Sequence, residues 1–378
     1  MRIGVDGNLA GDRRTGMGVM VYNVVLEAAL TYPEHRFYVY VPKGPGYESA
    51  THLADAGAIV RALPAGGYPI WEQVSLPLAA RRDRLDVFWA PYNTSSLFGS
   101  VPCVLTVHDV IYMDGAWTDQ TSWYKRFGKL YRQLVVPRAV RRARSITTVS
   151  AYSSAAIADC FPECSDKLSI MHLAPDVRAA PLTDEEWRGF CAANGVENQY
   201  LLAFTSREKR KNGMRVLEAY AAFAAARETT PQLVIFGYRG YQSSEEWRWI
   251  QDRPHLRIAM LGYVSESEKA SLYAHSLLFV FPSLAEGFGL PVLEAFESGV
   301  PVITAAGSAL MEIAGDAAVT VDPVSIEEIA RAISLVVDDS SLGRALVERG
   351  RERVSAFSWR ATTAALVSAI TGATRPSR

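Results

Sequence analysis

The sequence lacks any apolar run of the roughly 18 residues that a membrane-spanning helix requires. It also has little net charge, because 39 lysines and arginines nearly balance 40 aspartates and glutamates. Such a balance argues against nucleic acid as a partner. Residues 1–11 lack the apolar core of a signal peptide. From these absences we expect a cytoplasmic protein that does not bind nucleic acid.

Cysteine is scarce as well, and the few thiols show no metal-binding pattern. Cys160 and Cys164 can share one face of a helix, but neither belongs to a CxxC pair or has a histidine partner nearby. Thiols stay reduced in the compartment expected above. We therefore expect no zinc site and reduced, structural cysteines at all four positions, Cys103, Cys160, Cys164 and Cys191.

Apolar residues, in contrast, make up 49% of the chain, which is ample for two buried cores. Short β-branched runs alternate with longer segments whose apolar residues recur every three or four positions. This alternation predicts parallel sheets that helices cover on both faces. The predicted strands are 2–6, 36–41, 58–63, 87–90, 103–109, 145–150 and 168–173, then 200–206, 232–237, 256–262, 277–282, 301–305 and 317–322. The predicted helices include 17–30, 213–226, 266–275 and 325–337.

The alternation pauses at residues 174–185, which contain two prolines and little periodicity. This stretch predicts a linker between two similar α/β domains. Ligands of open parallel sheets bind beyond the carboxyl ends of the strands. We therefore expect the functional residues directly after strands.

The clearest functional signal follows the predicted strand 277–282. The turn there carries Glu286 and two glycines, and Pro291 stands where a helix can begin. Glycines let the backbone approach a ligand, and the N–H groups at a helix start attract phosphate or sugar oxygens. The carboxylates of Glu286 and Glu294 only accept hydrogen bonds, which suits sugar and ribose hydroxyls. The segment predicts a site for a polyhydroxylated anion.

These residues resemble glycosyltransferase family 4, whose members are retaining group 1 glycosyltransferases of the GT-B fold, and mannosyltransferases in particular. The family carries two glutamates with seven residues between them, as Glu286 and Glu294 have here. The phrase PS-x-x-EGFGLP-x-LEA matches at 282–295, and G-x-PV follows at 299–302.

The resemblance implies two Rossmann-like, doubly wound parallel-sheet domains that face an interdomain cleft. The acceptor-binding domain is expected at 1–180 and the nucleotide-sugar-binding domain at 181–356. A C-terminal helix at 357–378 is expected to pack back on the first domain.

The resemblance also assigns roles to individual residues. It implies that Glu286 faces the donor sugar, that the backbone N–H groups after it bind the donor, and that Glu294 binds the nucleotide ribose. Catalytic roles are expected for His108, Glu286, Lys211 and Arg210. Donor contacts are expected from Gly16, Gly18, Ser206, Arg207, Lys211, Gly262, Tyr263, Val264, Glu286, Gly287, Phe288, Gly289, Leu290 and Glu294.

A basic loop follows the predicted strand 200–206. Residues 206–212 read SREKRKN, where similar family members have E-P-R-K-N, whose basic pair touches the donor diphosphate. Thr205 stands near the positions where the family has a glycine and a phosphate-binding arginine. We expect Arg207 to substitute for that arginine.

The first half of the chain supplies two further matches. The tetrapeptide TGMG at 15–18 precedes a helix expected from Val19 and matches the family's T-G-x-G loop, which closes over the donor phosphates. His108 and Asp109 end the predicted strand 103–109 and match a family H-D pair. The resemblance implies that this histidine hydrogen-bonds the donor sugar near its anomeric carbon.

The segment 120–158 contains no acidic residue, and basic side chains interleave with aromatic ones over 123–144. Such a segment can lie on an anionic membrane surface, here the inner face, or it can be a solvated helix face. The sequence supports both interpretations. The basic residues are Lys125, Arg126, Lys129, Arg132, Arg138, Arg141, Arg142 and Arg144.

The reaction implied by the resemblance is retaining transfer from a nucleoside-diphosphate sugar to an acceptor hydroxyl. Cations and the helix start would stabilise the charge that accumulates on the leaving diphosphate. No Asp-x-Asp motif follows a predicted strand, and the pair at 338–339 is not one. We therefore expect no metal and no other cofactor. The acceptor proton can pass to a donor phosphate oxygen.

GDP-mannose is the expected donor, because similar sequences often transfer mannose in surface-polysaccharide or glycolipid assembly, onto a glycan or a lipid-linked saccharide. UDP-sugars, dTDP- or GDP-deoxysugars, and a non-catalytic protein that binds sugar nucleotides remain alternatives. A phosphorylase would need a pyridoxal-phosphate lysine site that we cannot identify, and an epimerase would lack the EGFGLP phrase. The loops at 66–71 and 114–123 are candidate acceptor contacts.

Overall fold

Two compact units make up the chain in the computed structural model, which describes residues 1–12, 16–113, 123–176, 179–238 and 240–374. As far as they are described, Met1–Met113, Gln120–Leu173 and Phe357–Arg378 form the first unit, and Ala174–Ala356 form most of the second.

The first unit is built on seven parallel strands in the order β3-β2-β1-β4-β5-β6-β7. The chain starts in the middle of the sheet, runs to one edge, returns, and continues to the other edge, as doubly wound sheets do. The strands are β1 (Arg2–Asp6), β2 (Arg36–Pro42), β3 (Ile59–Leu63), β4 (Val87–Ala90), β5 (Cys103–Thr106), β6 (Ser145–Thr148) and β7 (Leu168–Ile170). The helices are α1 (Gly16–Thr31), α2 (Ala50–Asp55), α3 (Tyr68–Ile70), a π-helix (Trp71–Ser75), α4 (Leu76–Arg82), α5 (Trp123–Arg142) and α6 (Ala151–Cys160), with 3-10 turns at Ile111–Met113 and Pro162–Lys167.

The second unit repeats this plan with six parallel strands in the order β10-β9-β8-β11-β12-β13. Its strands are β8 (Tyr200–Phe204), β9 (Gln232–Phe236), β10 (Ile258–Met260), β11 (Leu278–Phe281), β12 (Val302–Ala305) and β13 (Val319–Val321). Its helices are α7 (Asp184–Asn194), α8 (Gly213–Ala225), α9 (Glu245–Gln251), α10 (Glu266–Ala274), α11 (Leu290–Glu297), α12 (Ser308–Ala314), α13 (Ile326–Asp338) and α14 (Ser340–Val354), with 3-10 turns at Lys209–Lys211 and Tyr241–Ser243.

Each predicted apolar run overlaps one of these strands, so the predicted pair of Rossmann-like sheets is confirmed. Several strands are shorter than the runs. For example, β5 ends at Thr106, although the predicted run continued to 109. Val107 remains fully buried after the strand ends, so hydropathy extends further than strand pairing.

The predicted linker at 174–185 is too long at its carboxyl end, because α7 already begins at Asp184. Thr183 starts this helix through a capping box with Glu186. The Thr183 Oγ1 accepts from the backbone N–H of Glu186, and the Glu186 carboxylate accepts from the backbone N–H of Thr183 at 2.9 Å. The sequence T-x-x-E at 183–186 is typical of such a cap, but the neighbouring prolines led us to predict a linker there.

The C-terminal helix, α15 (Trp359–Thr374), belongs to the first unit, where it packs on α1 and on the sheet. Leu366, Val367 and Ile370 are buried on its inner face. Thr362 Oγ1 donates to the backbone carbonyl of His172 at 2.6 Å. The first unit therefore depends on residues that are remote in sequence.

None of the helices in the described part of the chain combines the length and the apolar character that a bilayer-spanning segment needs. The four cysteines are free thiols.

We predict that Ile370→Ala destabilises the first unit by about 2–5 kcal/mol, because it removes a fully buried side chain and leaves a cavity. Ser368→Ala, on the exposed side of the same helix, should leave stability unchanged. Urea unfolding of the two variants measures the difference. Equal transition midpoints would show that α15 is not packed as described.

Candidate active site

The candidate site of the second unit lies where β8 and β11 run side by side in the middle of the sheet. In a doubly wound sheet this is the switch point, because the connections after these two strands leave toward opposite sides. The loop after β8 carries Lys211, and the loop after β11 carries Glu286. The fold therefore brings together two residues that are 75 positions apart.

Glu286 ties the two loops together through its carboxylate. Its Oε1 accepts from Lys211 Nζ at 2.6 Å and from Ser283 Oγ at 2.7 Å. Its Oε2 accepts from Arg210 Nη1 at 2.9 Å. A carboxylate oxygen can accept about two hydrogen bonds, so Oε2 retains one acceptor position.

The charge pair is buried, since Lys211 is 9% exposed and Glu286 is 8% exposed. The Lys211 ammonium lies 5.2 Å and 5.1 Å from the ring centroids of Phe204 and Phe281, the last residues of the two strands. Burial lowers the pKa of Lys211, while the neighbouring Lys211 and Arg210 hold the pKa of Glu286 below its usual value despite burial. The carboxylate is therefore ionised at neutral pH.

Asn212 fixes the path of the basic loop. Its φ of 63° lies in the left-handed region, which asparagine tolerates better than most residues. Its side-chain amide donates to the carbonyls of Pro282, at 2.9 Å, and Pro323, at 2.7 Å. These bonds hold the loop after β8 against the segments that follow β11 and β13.

The other members of the basic loop have different surroundings. Arg210 is occupied by Glu208, by Glu286 and by the Ala285 carbonyl. Arg207 is exposed, and its Nη2 contacts the Gly240 carbonyl only at 3.4 Å.

Two further positions of this loop carry no charge. Ser206 Oγ accepts from the backbone N–H of Glu208. Thr205 is buried, and its Oγ1 has no partner in the described part of the chain. A buried threonine cannot replace an arginine, whereas Arg207 is an exposed cation of the same loop.

The helix after Glu286 begins as the sequence predicts. α11 starts at Leu290 with Pro291 in its first turn. Gly289 has a φ of 123°, and a Cβ there would meet Leu310 Cδ2 at 2.7 Å. Only glycine fits at this position, and the backbone N–H groups of Gly287 and Phe288 lie in the same buried turn. The turn and the helix start together form a surface suited to an anion.

Glu294 lies in this helix and is held by a residue that sequence reasoning missed. Lys269 Nζ donates to its Oε1 at 2.8 Å and also contacts Glu266 at 2.8 Å. Tyr273 OH contacts the other oxygen, Oε2, at 3.3 Å. Each oxygen retains an acceptor position, which a vicinal diol could fill. No local spacing in the sequence indicated that Lys269 would reach this glutamate.

Three of the expected donor contacts, Gly262, Tyr263 and Val264, follow β10 in the same unit. The Gly262 carbonyl accepts from the backbone N–H of Gly237 at 3.0 Å. Tyr263 is exposed, whereas Val264 is buried.

In the first unit, Gly16 and Gly18 lie inside the first turn of α1, although the sequence suggested a loop before a helix from Val19. Glycine lowers helix propensity, which misled the prediction of the start. Thr15 of the predicted T-G-x-G loop lies outside the described residues, as does nearly all of the candidate acceptor loop 114–123.

His108 lies just after β5, which ends at Thr106, although the sequence predicted it within the last residues of the strand. Its Nε2 lies 2.8 Å from the carbonyl of Pro91, and its backbone N–H donates to Asn93 Oδ1 at 2.7 Å. Burial lowers the pKa of the imidazole, which is therefore neutral at pH 7. Because a carbonyl only accepts, Nε2 carries the hydrogen and Nδ1 remains an acceptor.

Two models of known families match the chain. The model described as "Glycosyl transferases group 1" matches residues 192–353, and the model described as "Glycosyltransferase Family 4" matches residues 15–177. Together they span most of both units. The chain belongs to the glycosyltransferase family that these two models describe. The predicted family and fold are thereby confirmed, and the Glu286 and Lys211 loops lie in the part of the chain that the group 1 model matches.

Named relatives include mannosyltransferases. The O-antigen chain mannosyltransferase B of Escherichia coli is 30% identical over 241 residues, which are 63% of each chain. The MMP alpha-(1->4)-mannosyltransferase of Mycolicibacterium hassiacum is 26% identical over 280 residues, which are 70% of this chain and 64% of that protein. The matches thus cover less than two thirds of these relatives.

Among solved structures, sucrose-phosphate synthase from Thermosynechococcus elongatus superimposes with a TM-score of 0.73 over 98% of both chains, at 18% identity. This similarity shows a shared fold.

We predict that Lys211→Met destabilises the second unit by about 3–5 kcal/mol, because it leaves Glu286 buried with one cation fewer. The double variant Lys211→Met/Glu286→Gln should recover part of this loss. Since the pKa of Glu286 is lowered on folding, its contribution to stability is present above its usual pKa and is lost as the pH falls. Glu286→Gln should therefore flatten the loss of stability in acid.

Urea unfolding at pH 7 and at several lower pH values measures both effects. Additive single and double variants, or unchanged acid sensitivity in Glu286→Gln, would show that the pair is not coupled.

Proposed function

We propose that this glycosyltransferase moves a hexose from a nucleoside-diphosphate sugar to a hydroxyl of a saccharide, with retention of the anomeric configuration. The observation that carries the proposal is the ionised Glu286, which keeps one free acceptor position beside a glycine-rich helix start. A sugar hydroxyl suits the acceptor, and a diphosphate suits the helix start.

Different residues of the second unit bind different parts of the donor. Glu286 accepts from a sugar hydroxyl through Oε2, and Glu294 takes the ribose diol through the acceptor positions that Lys269 and Tyr273 leave open. The backbone at Gly262, Tyr263 and Val264 lines the base. The backbone of residues 287–290 binds the donor.

The leaving diphosphate gains charge as its bond to the anomeric carbon breaks. Arg207, Lys211 and the start of α11 stabilise that charge. Arg210 contributes mainly by orienting Glu286, because its guanidinium is already shared among three acceptors. The bond from the acceptor oxygen to the anomeric carbon forms on the same face, and the acceptor proton passes to an oxygen of the leaving phosphate.

The first unit has a smaller part in the donor chemistry. We propose that His108 accepts a hydrogen bond from the donor sugar at Nδ1, because its other nitrogen is bound to Pro91. Gly16 and Gly18, at the start of α1, allow close approach of the donor phosphates.

Mannose is the proposed sugar and GDP-mannose the proposed donor. The support is that both relatives described above bear the name mannosyltransferase. The name of the O-antigen relative supports an acceptor that is a glycan or lipid-linked saccharide in cell-surface polysaccharide or glycolipid assembly. UDP-sugars and deoxysugar nucleotides remain the alternative donors, and a non-catalytic sugar-nucleotide-binding protein is the alternative function.

The reaction is proposed to need no metal ion or other cofactor, because Arg207 and Lys211 supply positive charge where a divalent cation would otherwise act.

A donor screen tests this function. We expect GDP-mannose to raise the melting temperature and to be hydrolysed slowly, with mannose released first as the α-anomer and with activity retained in EDTA. Glu294→Gln should weaken nucleotide binding by about 10- to 100-fold, since hydrogen bonds to a charged group contribute about 1.5–3 kcal/mol. Glu297→Gln is the matched control, because it is exposed on the same helix.

Lys211→Ala should lower turnover by about 10²- to 10³-fold. If only UDP-sugars give a response, the donor is a UDP-sugar and not GDP-mannose. Binding without product would favour the non-catalytic alternative. Inhibition by EDTA would contradict metal independence. No response to any nucleotide sugar would refute the function.

Contact with an anionic membrane surface is a further part of the proposal. On α5, Leu130 and Leu134 are spaced by four residues, and each side chain is about half exposed. Arg138, Arg141 and Arg142 follow on the same helix, and no acidic residue lies between 120 and 158. Exposed leucines beside arginines suit the interface of a bilayer with negative headgroups.

We predict that the protein cosediments with phosphatidylglycerol vesicles and not with phosphatidylcholine vesicles, and that 0.5 M salt weakens the binding at least about tenfold. Leu130→Ser/Leu134→Ser should abolish binding. Leu335→Ser, an equally exposed leucine on α13 of the second unit, is the control. Binding that is independent of lipid charge would contradict the proposal.

A further inference from the structure

The first unit contains a cavity of about 630 Å³ within the described residues. It lies at the carboxyl edge of the sheet, where Asn8 follows β1, Pro42 ends β2 and Tyr92 follows β4. β1 and β4 are the adjacent strands at the switch point of this sheet. The cavity therefore has the position at which open α/β sheets bind ligands.

Aromatic side chains form much of the cavity wall. Tyr68, Trp71, Tyr92 and Tyr131 all line it. Tyr68 and Tyr131 meet edge to face, with ring centroids 6.3 Å apart. Trp71 begins a π-helix, an irregularity that is frequent at functional sites.

A buried carboxylate holds two of these rings. Glu72 is 1% exposed and accepts from the hydroxyls of Tyr68 and Tyr131, from Thr94 and from its neighbour Gln73. It has no ion pair with any described residue. Burial raises its pKa. Such burial is costly, and the four donors that offset the cost include the two tyrosine hydroxyls.

A second buried carboxylate holds the tryptophan. Asp6 accepts from Trp71 Nε1 at 2.9 Å and from the backbone N–H of Asn8 at 3.0 Å. It is 3% exposed, and burial raises its pKa to about 7. Neither carboxylate binds a cation in the described part of the chain, and both orient the aromatic wall. We infer that these two carboxylates serve to hold the aromatic side chains of the cavity wall in place.

Among the described residues that line the cavity, Arg132 is the one with a charged side chain. It makes no ion pair with a described residue, and its Nε is buried without a hydrogen-bond partner in the described part of the chain. Its one described contact is with the ring of Tyr112, at 5.7 Å. An unpaired guanidinium beside a ligand-sized cavity is suited to a carboxylate or phosphate.

A sugar ring matches these surfaces. Because the hydroxyls of Tyr68 and Tyr131 are bonded to Glu72, their rings offer the cavity mainly apolar surface, which suits the C–H face of a pyranose. Met17, between the two glycines proposed to adjoin the donor phosphates, lines the same cavity. We propose that the cavity binds the terminal sugar of the acceptor against the rings of Tyr68 and Tyr131, with Arg132 donating to an anionic group on that sugar. The assignment of this sugar to the acceptor rests on the proposed function, whereas the binding of a sugar in the cavity does not.

Saturation-transfer NMR with two probes, methyl α-mannopyranoside and mannose 6-phosphate, tests the proposal. Both probes should bind the wild type, and the phosphorylated sugar should bind at least about tenfold more tightly. Tyr131→Ala should weaken both at least about tenfold, whereas Arg132→Gln should remove only the advantage of the phosphate. Tyr152→Ala, a half-exposed tyrosine on α6, is the matched control. If Tyr131→Ala does not fold, Tyr68→Ala probes the same wall.

If neither probe binds, or if Tyr131→Ala leaves binding unchanged, the cavity is not a sugar-binding site. Equal affinity of the two probes would overturn the role of Arg132. These outcomes are separate from a failure of the proposed function, which would appear as a wild-type protein that no nucleotide sugar stabilises.

Discussion

The bonding of Glu286 to Lys211 and Arg210 is the interaction on which the second unit's site depends. It joins the loops that follow two adjacent strands, and the neutral donors Ser283 and Asn212 reinforce the junction with further hydrogen bonds. A buried carboxylate is stable only with such partners. The same partners fix which lone pair stays available, so that stability and ligand recognition share one set of contacts.

The two units place their polar groups at the same topological position but satisfy them differently. In the second unit, the carboxylate of Glu286 is neutralised by cations and remains ionised. In the first, Asp6 and Glu72 are surrounded by neutral donors, and their pKa values rise. An ionised group suits binding of hydroxyls, whereas a carboxyl that has neutral partners serves to hold side chains in place.

The sequence predicted the order of strands and helices well, because parallel sheets require short buried runs separated by helices. It also predicted that Glu286 and Lys211 follow strands and that His108 lies at the carboxyl end of one. It did not predict that Lys211 and Glu286 bond to each other, since a motif gives the position of a charge but not its partner. Lys269 and the Asp6–Trp71 contact, 65 residues apart, were missed for the same reason: their pairing arises only from the packing of remote elements.

The C-terminal helix sets an order of events during synthesis on the ribosome. The first unit is unfinished when Leu173 has been made, because its buried partner helix starts only near Trp359. At translation rates of about 5–20 residues per second, that delay is roughly 10 to 40 seconds. The apolar face of α1 must stay without this cover throughout, while all strands of the second unit emerge. The nascent chain is therefore most exposed to aggregation, and most dependent on chaperones, through its earliest-made half.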